Sequence, residues 1–188
     1  MMSRRTGGVR RPPEAWRDAR APGWSGDPAD AAYAAGLRLL AGRELSEHQV
    51  RERLQKRGLP EEAIDAALAR LRASGAVDDR RVAAACARTD THVKGHGRAR
   101  VLRHLQAIGI DRDAAEQAVG AVLASEDEGA LLARALARRL HGPARPITDP
   151  REFRRLHSHL VRQGFDPSQV TALLKARSKR GLAPDDES

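Results

Sequence analysis

Apolar residues recur along most of this chain at the three- and four-residue intervals of amphipathic helices, and three of these helices end in the same pattern. In each copy, a leucine is followed four residues later by a glycine and then by an apolar residue. The copies span residues 54–59, 105–110 and 160–165, and their glycines are Gly58, Gly109 and Gly164. Because glycine closes a helix in the left-handed conformation without steric cost, the pattern predicts a repeat of about 50 residues.

The same periodicity predicts nine helices, and no segment shows the alternation with period two that is typical of strands. We therefore expect an all-α fold, an elongated and curved array of three tandem three-helix repeats. The predicted boundaries are a flexible basic leader at 1–28, repeats at 29–76, 77–126 and 127–180, and an acidic tail at 181–188. Proteins of this architecture more often bind extended partners than catalyse reactions, since stacked repeats present a long face.

Polar residues at the predicted helix starts are typical of N-caps. Ser46 and Gln49 fit a capping box, in which each side chain accepts a hydrogen bond from the backbone amide of the other. Asp78 and Asp79 open a helix predicted near 80–91, where capping explains the paired carboxylates better than acid–base catalysis does. Two later starts place an N-cap aspartate before a proline, at Asp149-Pro150 and Asp166-Pro167.

Two packing expectations follow from the apolar positions. The first predicted helix carries Tyr33, Leu37 and Leu40 on one face, which we expect to be buried. Cys86 lies in an alanine-rich run and is expected to be a small buried thiol. Because Cys86 is the single cysteine of the chain, an intrachain disulfide and a zinc site built of cysteines are both excluded.

The chain is strongly basic: 34 Lys and Arg against 25 Asp and Glu give a net charge of +9, with a sequence pI near 11.0. This excess favours a polyanionic partner, although arginines on exposed helix faces are often only solvated. Aromatic residues make up 3% of the chain, which argues against the nucleic-acid-binding barrels and sheets that stack bases on aromatic rings. No apolar stretch is long enough to span a membrane, so we expect a cytoplasmic protein without membrane contact.

The densest basic segment spans residues 80–105 and contains one acid, Asp90. Its cations are Arg80, Arg81, Arg88, Lys94, Arg98, Arg100 and Arg103. A predicted helix begins at Gly97, between Lys94 and Arg98. The free amides and the positive dipole at the start of this helix favour binding of a phosphate or a carboxylate. We therefore expect this segment to contact DNA or a protein filament. The alternative is a turn whose cations are merely solvated.

A second basic set lies in the third repeat and comprises Arg134, Arg138, Arg139 and Arg145. Helical spacing puts Arg134, Arg138 and Arg145 on roughly one face. The set either extends the binding surface along this repeat or forms an ordinary solvated helix side.

Metal and nucleophilic chemistry are both disfavoured by the sequence. His92 and His96 have the spacing of a helical zinc site, but Gly95 interrupts the helix between them. Ser46 fits a cap better than a nucleophile. We therefore expect neither a cofactor nor an enzymatic activity such as that of a nuclease.

Three segments resemble the RecX family of bacterial recombinase regulators. Residues 42–58 look like the opening of that family, and residues 77–83 resemble its Asp-Asp-x-x-Phe-Ala segment. Residues 94–105 resemble its Gly-x-x-Arg-Ile-x-x-x-Leu segment, which Gly109 and Ile110 close. Val82 stands where the family usually has Phe, and Gly42 stands where a serine is common. The resemblance covers about residues 29–178 and is loosest in the third repeat.

The resemblance implies a protein that lies in the groove of the RecA–single-stranded DNA filament, blocks its extension or favours its disassembly, and so reduces ATP hydrolysis and strand exchange. We therefore expect a monomeric, non-enzymatic regulator that contacts single-stranded DNA directly or within the filament. The residues alone leave a second function open, that of a general DNA-binding protein with a helix-turn-helix around the glycine turn at 107–110.

Overall fold

A computed structural model describes residues 27–140 and 146–179 of the 188-residue chain. All regular secondary structure in these two ranges is helical, which confirms the expected all-α class. The predicted leader up to residue 26, the acidic tail and Arg145 lie outside the described residues. Within the described ranges, none of the helices has the length and apolar character needed to cross a membrane.

Three helices form the first repeat: α1 (Pro28–Gly42), α2 (Glu47–Lys56) and α3 (Glu61–Ala73). They make one compact unit whose core includes Leu54 and Leu68. Both hydrogen bonds of the predicted capping box between Ser46 and Gln49 are present. Gly58 follows α2 with a φ of 76°, so the predicted glycine closure is confirmed here.

The buried face of α1 differs from the predicted one. The predicted face included Leu37, which is 40% exposed, together with Tyr33 and Leu40, which are only half-buried. The residues that face the core are instead Ala32, Ala35 and Gly36. A β-carbon on Gly36 would lie 2.6 Å from Leu71 Cδ1. Helices α1 and α3 therefore approach so closely that only small residues fit between them.

The second repeat consists of three α-helices and one π-helical segment: α4 (Asp79–Arg88), the π segment (Thr89–Val93), α5 (Arg98–Ala107) and α6 (Arg112–Leu123). As predicted, Asp78 caps α4, and its carboxylate accepts hydrogen bonds from the amides of Arg80 and Arg81. Gly109 follows α5 with a φ of 81°, which confirms the second predicted glycine closure.

Two details of the second repeat differ from the predictions. The helix expected to continue to Thr91 remains α-helical only to Arg88, and the wider π turn follows it. Cys86 was expected to be buried but is half-buried, beside a core that includes Val101 and Leu105. π turns are rare and often occur at functional sites, so the π segment identifies this part of the second repeat as a candidate functional region.

Three helices form the third repeat: α7 (Glu128–Leu140), α8 (Pro150–Arg162) and α9 (Pro167–Lys179). Asp149 and Asp166 accept hydrogen bonds from the first turns of α8 and α9, as predicted. Gly164 follows α8 with a φ of 94°. Leu123 packs against the cores of both the second and the third repeats, and these two repeats form one compact unit.

Candidate binding site between the second and third repeats

The second and third repeats are joined by main-chain hydrogen bonds at the start of α5. The amide of Gly97 donates to the carbonyl of Gln163 at 2.8 Å. The amide of Ala99 donates to the carbonyl of Gly164 at 3.1 Å. A β-carbon at Gly97 would lie 2.5 Å from the carbonyl of Gly164, and one at Gly164 would lie 2.3 Å from the nitrogen of Arg100. The two backbones therefore touch where only glycine fits.

These hydrogen bonds correct the anion site that the sequence predicts at this helix start. The first amides of a helix have no partner within the helix, which is why they attract anions. Here the carbonyls of the third repeat occupy the amides of Gly97 and Ala99. The expectation of free amides is therefore wrong for Gly97 and Ala99, and the cationic side chains are the charged groups that can attract an anion here.

Six of the predicted cations have partners on the protein itself, and four of them form the pairs Arg98–Glu116, Arg100–Gln163, Arg81–Asp78 and Arg134–Glu126. Their donor–acceptor distances are 2.5, 3.2, 3.8 and 3.0 Å in that order. Pairs of this kind near the surface contribute only about 0–1 kcal/mol, so a polyanion competes with them easily. Three other predicted cations are exposed and form no ion pair within the described ranges, namely Arg80, Arg88 and Arg103.

A cavity of about 300 Å³ lies between the second and third repeats, and we call it the junction pocket. Its wall includes Lys94, Gly95, His96, Arg138, Arg139 and His159. The first three precede α5, the arginines belong to α7, and His159 belongs to α8. No acidic side chain of the described residues lines it. The structure thus brings together cations that the sequence placed in two separate basic sets, and it leaves the arginines of α4 outside the pocket.

Arg138 is held in the pocket wall by the backbone of the second repeat. Its Nη1 donates to the carbonyl of Val93 at 3.2 Å. A β-carbon on Gly95 would lie 2.7 Å from the same nitrogen, and Gly95 has a φ of 68°. The glycine therefore leaves room for the guanidinium, and the carbonyl fixes its position without neutralising its charge.

Asp90 holds Lys94 from inside the protein. The Asp90 side chain is 2% exposed, Lys94 Nζ lies 2.7 Å from its Oδ1, and His104 Nδ1 lies 2.7 Å from its Oδ2. Burial disfavours the charged carboxylate, but the contacts with Lys94 and His104 outweigh burial and hold the pKa of Asp90 below its ordinary value. Sequence reasoning counted Asp90 only as an isolated acid. Its four-residue spacing to Lys94 was the available signal.

The two histidines of the pocket wall lie in positive surroundings. Burial lowers the pKa of His96, and the guanidinium of Arg100 lowers it further, against the opposing effect of a nearby carboxylate. Burial also lowers the pKa of His159, followed by the guanidinium groups of Arg139, Arg162 and Arg100. Both imidazoles are therefore mainly neutral at pH 7.

The two histidines with zinc-like spacing have different neighbours. His92 Nδ1 lies 3.3 Å from Glu126 Oε1, whereas His96 Nδ1 lies 3.7 Å from Asp90 Oδ2. In the part of the chain that the structure describes, no three His, Cys, Asp or Glu side chains are arranged to hold a metal ion. The charged side chains that line the junction pocket are cations, which attract anions.

The fold places this protein among the helical repeat proteins built of three-helix units, and the junction pocket is a cationic site between two of these units. Residues 32–71 match the family profile described as RecX, first three-helix domain, and residues 78–119 match RecX, second three-helix domain. The regulatory protein RecX of Mycobacterium ulcerans (strain Agy99) is 36% identical over 139 residues, which cover 72% of this chain and 77% of that protein. The chain belongs to the RecX family of regulatory proteins, as the three resembling segments predicted.

A second relative agrees with this assignment, and a solved structure shares the fold. The regulatory protein RecX of Geobacillus kaustophilus (strain HTA426) is 32% identical over 148 residues, which cover 79% of this chain. The match covers 54% of that protein, so this chain spans about half the length of that relative. The crystal structure of RecX from Lactobacillus salivarius matches with a TM-score of 0.63 at 21% identity, over 81% of this chain and 98% of that one. At this identity, the structural match shows the shared fold.

Proposed function

We propose that this protein binds the RecA–single-stranded DNA filament and inhibits its extension, ATP hydrolysis and strand exchange, without catalysing a reaction itself. The observation that carries the proposal is the junction pocket, in which the guanidinium groups of Arg138 and Arg139 from the third repeat lie beside Lys94 of the second repeat. A filament offers phosphates and acidic side chains at regular intervals, which suit cations held on successive repeats. The name that the relatives carry, regulatory protein, supports a regulatory role over an enzymatic one.

The exposed arginines of α4 and α5 extend this surface in the proposal. Because Arg80, Arg88 and Arg103 form no ion pair within the described ranges, their charge is available to a polyanion. Such contacts weaken as salt is raised, since the phosphates release bound counterions when a protein binds. We expect each repeat of a cytoplasmic monomer to add contacts to the same filament, so that affinity comes from several weak sites together.

ATP hydrolysis by the cognate RecA on single-stranded DNA, measured while this protein is titrated in, tests the proposal. We expect inhibition well below one copy per RecA, because one molecule that blocks a filament end or bridges several protomers affects many subunits. No inhibition at equimolar protein, together with direct binding to duplex DNA, would contradict the proposal. That result would favour a general helical DNA-binding protein that acts without RecA.

Charge reversal tests where the filament contacts lie. Replacing Arg80, Arg88 and Arg103 with glutamate is expected to raise the concentration for half-inhibition by at least about tenfold, since three attractive contacts become repulsive. Circular dichroism should show unchanged helix content, because exposed side chains without ion pairs contribute little to stability. The matched control reverses three other exposed arginines that form no ion pair within the described ranges, Arg112 of α6 and Arg151 and Arg154 of α8. An equal loss in the control would show that net charge matters and that position does not.

A further inference from the structure

We propose that the junction pocket is a phosphate-binding site and that its occupant is a backbone phosphodiester of single-stranded DNA. The identity of the occupant rests on the proposed function. Its volume of about 300 Å³ lies at the lower end of the range for small-ligand sites, roughly 300–1,000 Å³. The pocket therefore suits one small anionic group better than a folded peptide segment.

Two guanidinium groups in the pocket keep their charge uncompensated. Lys94 is neutralised by the buried carboxylate of Asp90, 2.7 Å away. Arg138 bonds to the uncharged carbonyl of Val93, which orients its guanidinium and leaves its charge intact. Arg139 is exposed and has no ion pair in the described ranges. The pocket thus carries positive charge for which the described protein supplies no counter-ion, and the planar fork of an arginine matches phosphate oxygens.

The imidazoles of the pocket wall lie close enough to guanidinium groups to be affected by their charge. After burial, the largest influence that lowers the pKa of His159 is Arg139, and the largest that lowers the pKa of His96 is Arg100. The Nδ1 atom of His96 is buried without a hydrogen-bond partner among the described residues and lies 3.7 Å from Asp90 Oδ2. A bound phosphate would place negative charge beside the guanidinium groups of the pocket and acceptor oxygens at its wall.

The directions of the donors favour a phosphate over a carboxylate. The polar groups of the wall come from three separate elements: the segment before α5, helix α7 and helix α8. A carboxylate offers two oxygens in one plane, whereas the tetrahedral oxygens of a phosphate accept hydrogen bonds from several directions. The amides of Gly97 and Ala99 are already occupied and supply none of these donors.

Nuclear magnetic resonance of the histidine rings in the full chain tests the site, with inorganic pyrophosphate as the probe. Saturable shifts of the His96 and His159 signals are expected, while the signal of His48 in α2 stays unchanged. Arg139→Ala should weaken binding by about tenfold, the loss of one charge-assisted hydrogen bond. The matched control, Arg154→Ala, removes an exposed arginine of α8 that lines a different cleft, and should change affinity by less than about twofold.

A second arm with an oligothymidylate identifies the source of the phosphate. If the oligonucleotide displaces pyrophosphate and shifts the same histidine signals, a phosphodiester is the occupant. If the pyrophosphate shifts persist unchanged, the ligand is a free phosphate compound and the assignment to DNA is overturned.

Two outcomes would overturn the site itself: no saturable shift of either histidine, or equal weakening by Arg139→Ala and Arg154→Ala. RecA inhibition by the unmodified protein is measured alongside to keep the two proposals distinguishable. Inhibition without histidine shifts would remove the phosphate pocket and leave the proposed function standing. Histidine shifts without inhibition would leave the pocket and remove the proposed function.

Discussion

Gly164→Ala is expected to destabilise the second and third repeats by roughly 3–5 kcal/mol. Gly164 has a φ of 94°, where a side chain is strained, and a β-carbon there would lie 2.3 Å from the amide nitrogen of Arg100. Relief of this contact requires the two backbones to separate, which breaks the hydrogen bonds that Gly97 and Ala99 donate. Urea denaturation gives the free energy of unfolding, and hydrogen exchange at the two amides reports on the junction directly.

Two other glycines separate backbone strain from steric contact. Gly75 has a φ of 69° but no atom within 4 Å of its β-carbon position, so Gly75→Ala should lower the free energy of unfolding by only about 1–2 kcal/mol. Gly97 has an ordinary φ of −81° but a β-carbon position 2.5 Å from Gly164, so Gly97→Ala should fall between the other two variants. A Gly164→Ala protein as stable as Gly75→Ala would contradict close docking at the junction.

Asp90→Asn is expected to lower the free energy of unfolding by about 2–3 kcal/mol at pH 7. The amide has nearly the same size, but it no longer attracts the ammonium of Lys94 or the ring of His104. Because the Asp90 side chain is only 2% exposed, water cannot reach the groups that lose their interaction with the carboxylate there. Asp111→Asn is the matched control, since Asp111 is an exposed N-cap of α6 and asparagine caps a helix about as well. Equal effects of the two substitutions would contradict the structural role of Asp90.

The effect of Asp90→Asn should disappear in acid. The pKa of Asp90 in the folded protein lies below its ordinary value of 3.8, so folding favours the deprotonated carboxylate. The stabilisation is therefore fully present above that ordinary value and is lost as the pH falls through the folded pKa. Urea denaturation of both proteins at a series of pH values should show their free energies of unfolding converging below pH 3.8. A constant difference down to the lowest pH at which the protein folds would contradict this account.

Helix boundaries are the part of this fold that the sequence predicts best, since a cap depends on residues within one turn. Ser46 and Gln49 form the expected capping box, Asp78 caps α4, and Gly58 and Gly109 close their helices in the expected conformation. Each of these outcomes depends on local geometry alone. Helix packing depends on more, which is why the buried face of α1 was predicted wrongly.

The candidate site could be predicted only in part, because it is assembled from segments far apart in the chain. Lys94 and Arg138 are identifiable as cations in the sequence, but they share a pocket only because Gly97 docks against the third repeat. The same docking occupies the amides of Gly97 and Ala99, which would otherwise be available to a ligand. The burial of Asp90 likewise depends on how the π segment packs against α5, and no local pattern encodes that contact.

The contact between Gly97 and Gly164 has a consequence for sequence variation, because its hydrogen bonds join main chain to main chain. Any residue at position 163 supplies the same carbonyl, so this hydrogen bond does not depend on the side chain there, whereas the close approach of the two backbones requires both glycines. The pocket walls can thus change their ligand preference without moving the frame that holds them. A library of variants of the pocket wall should therefore keep both glycines fixed and vary only the lining side chains.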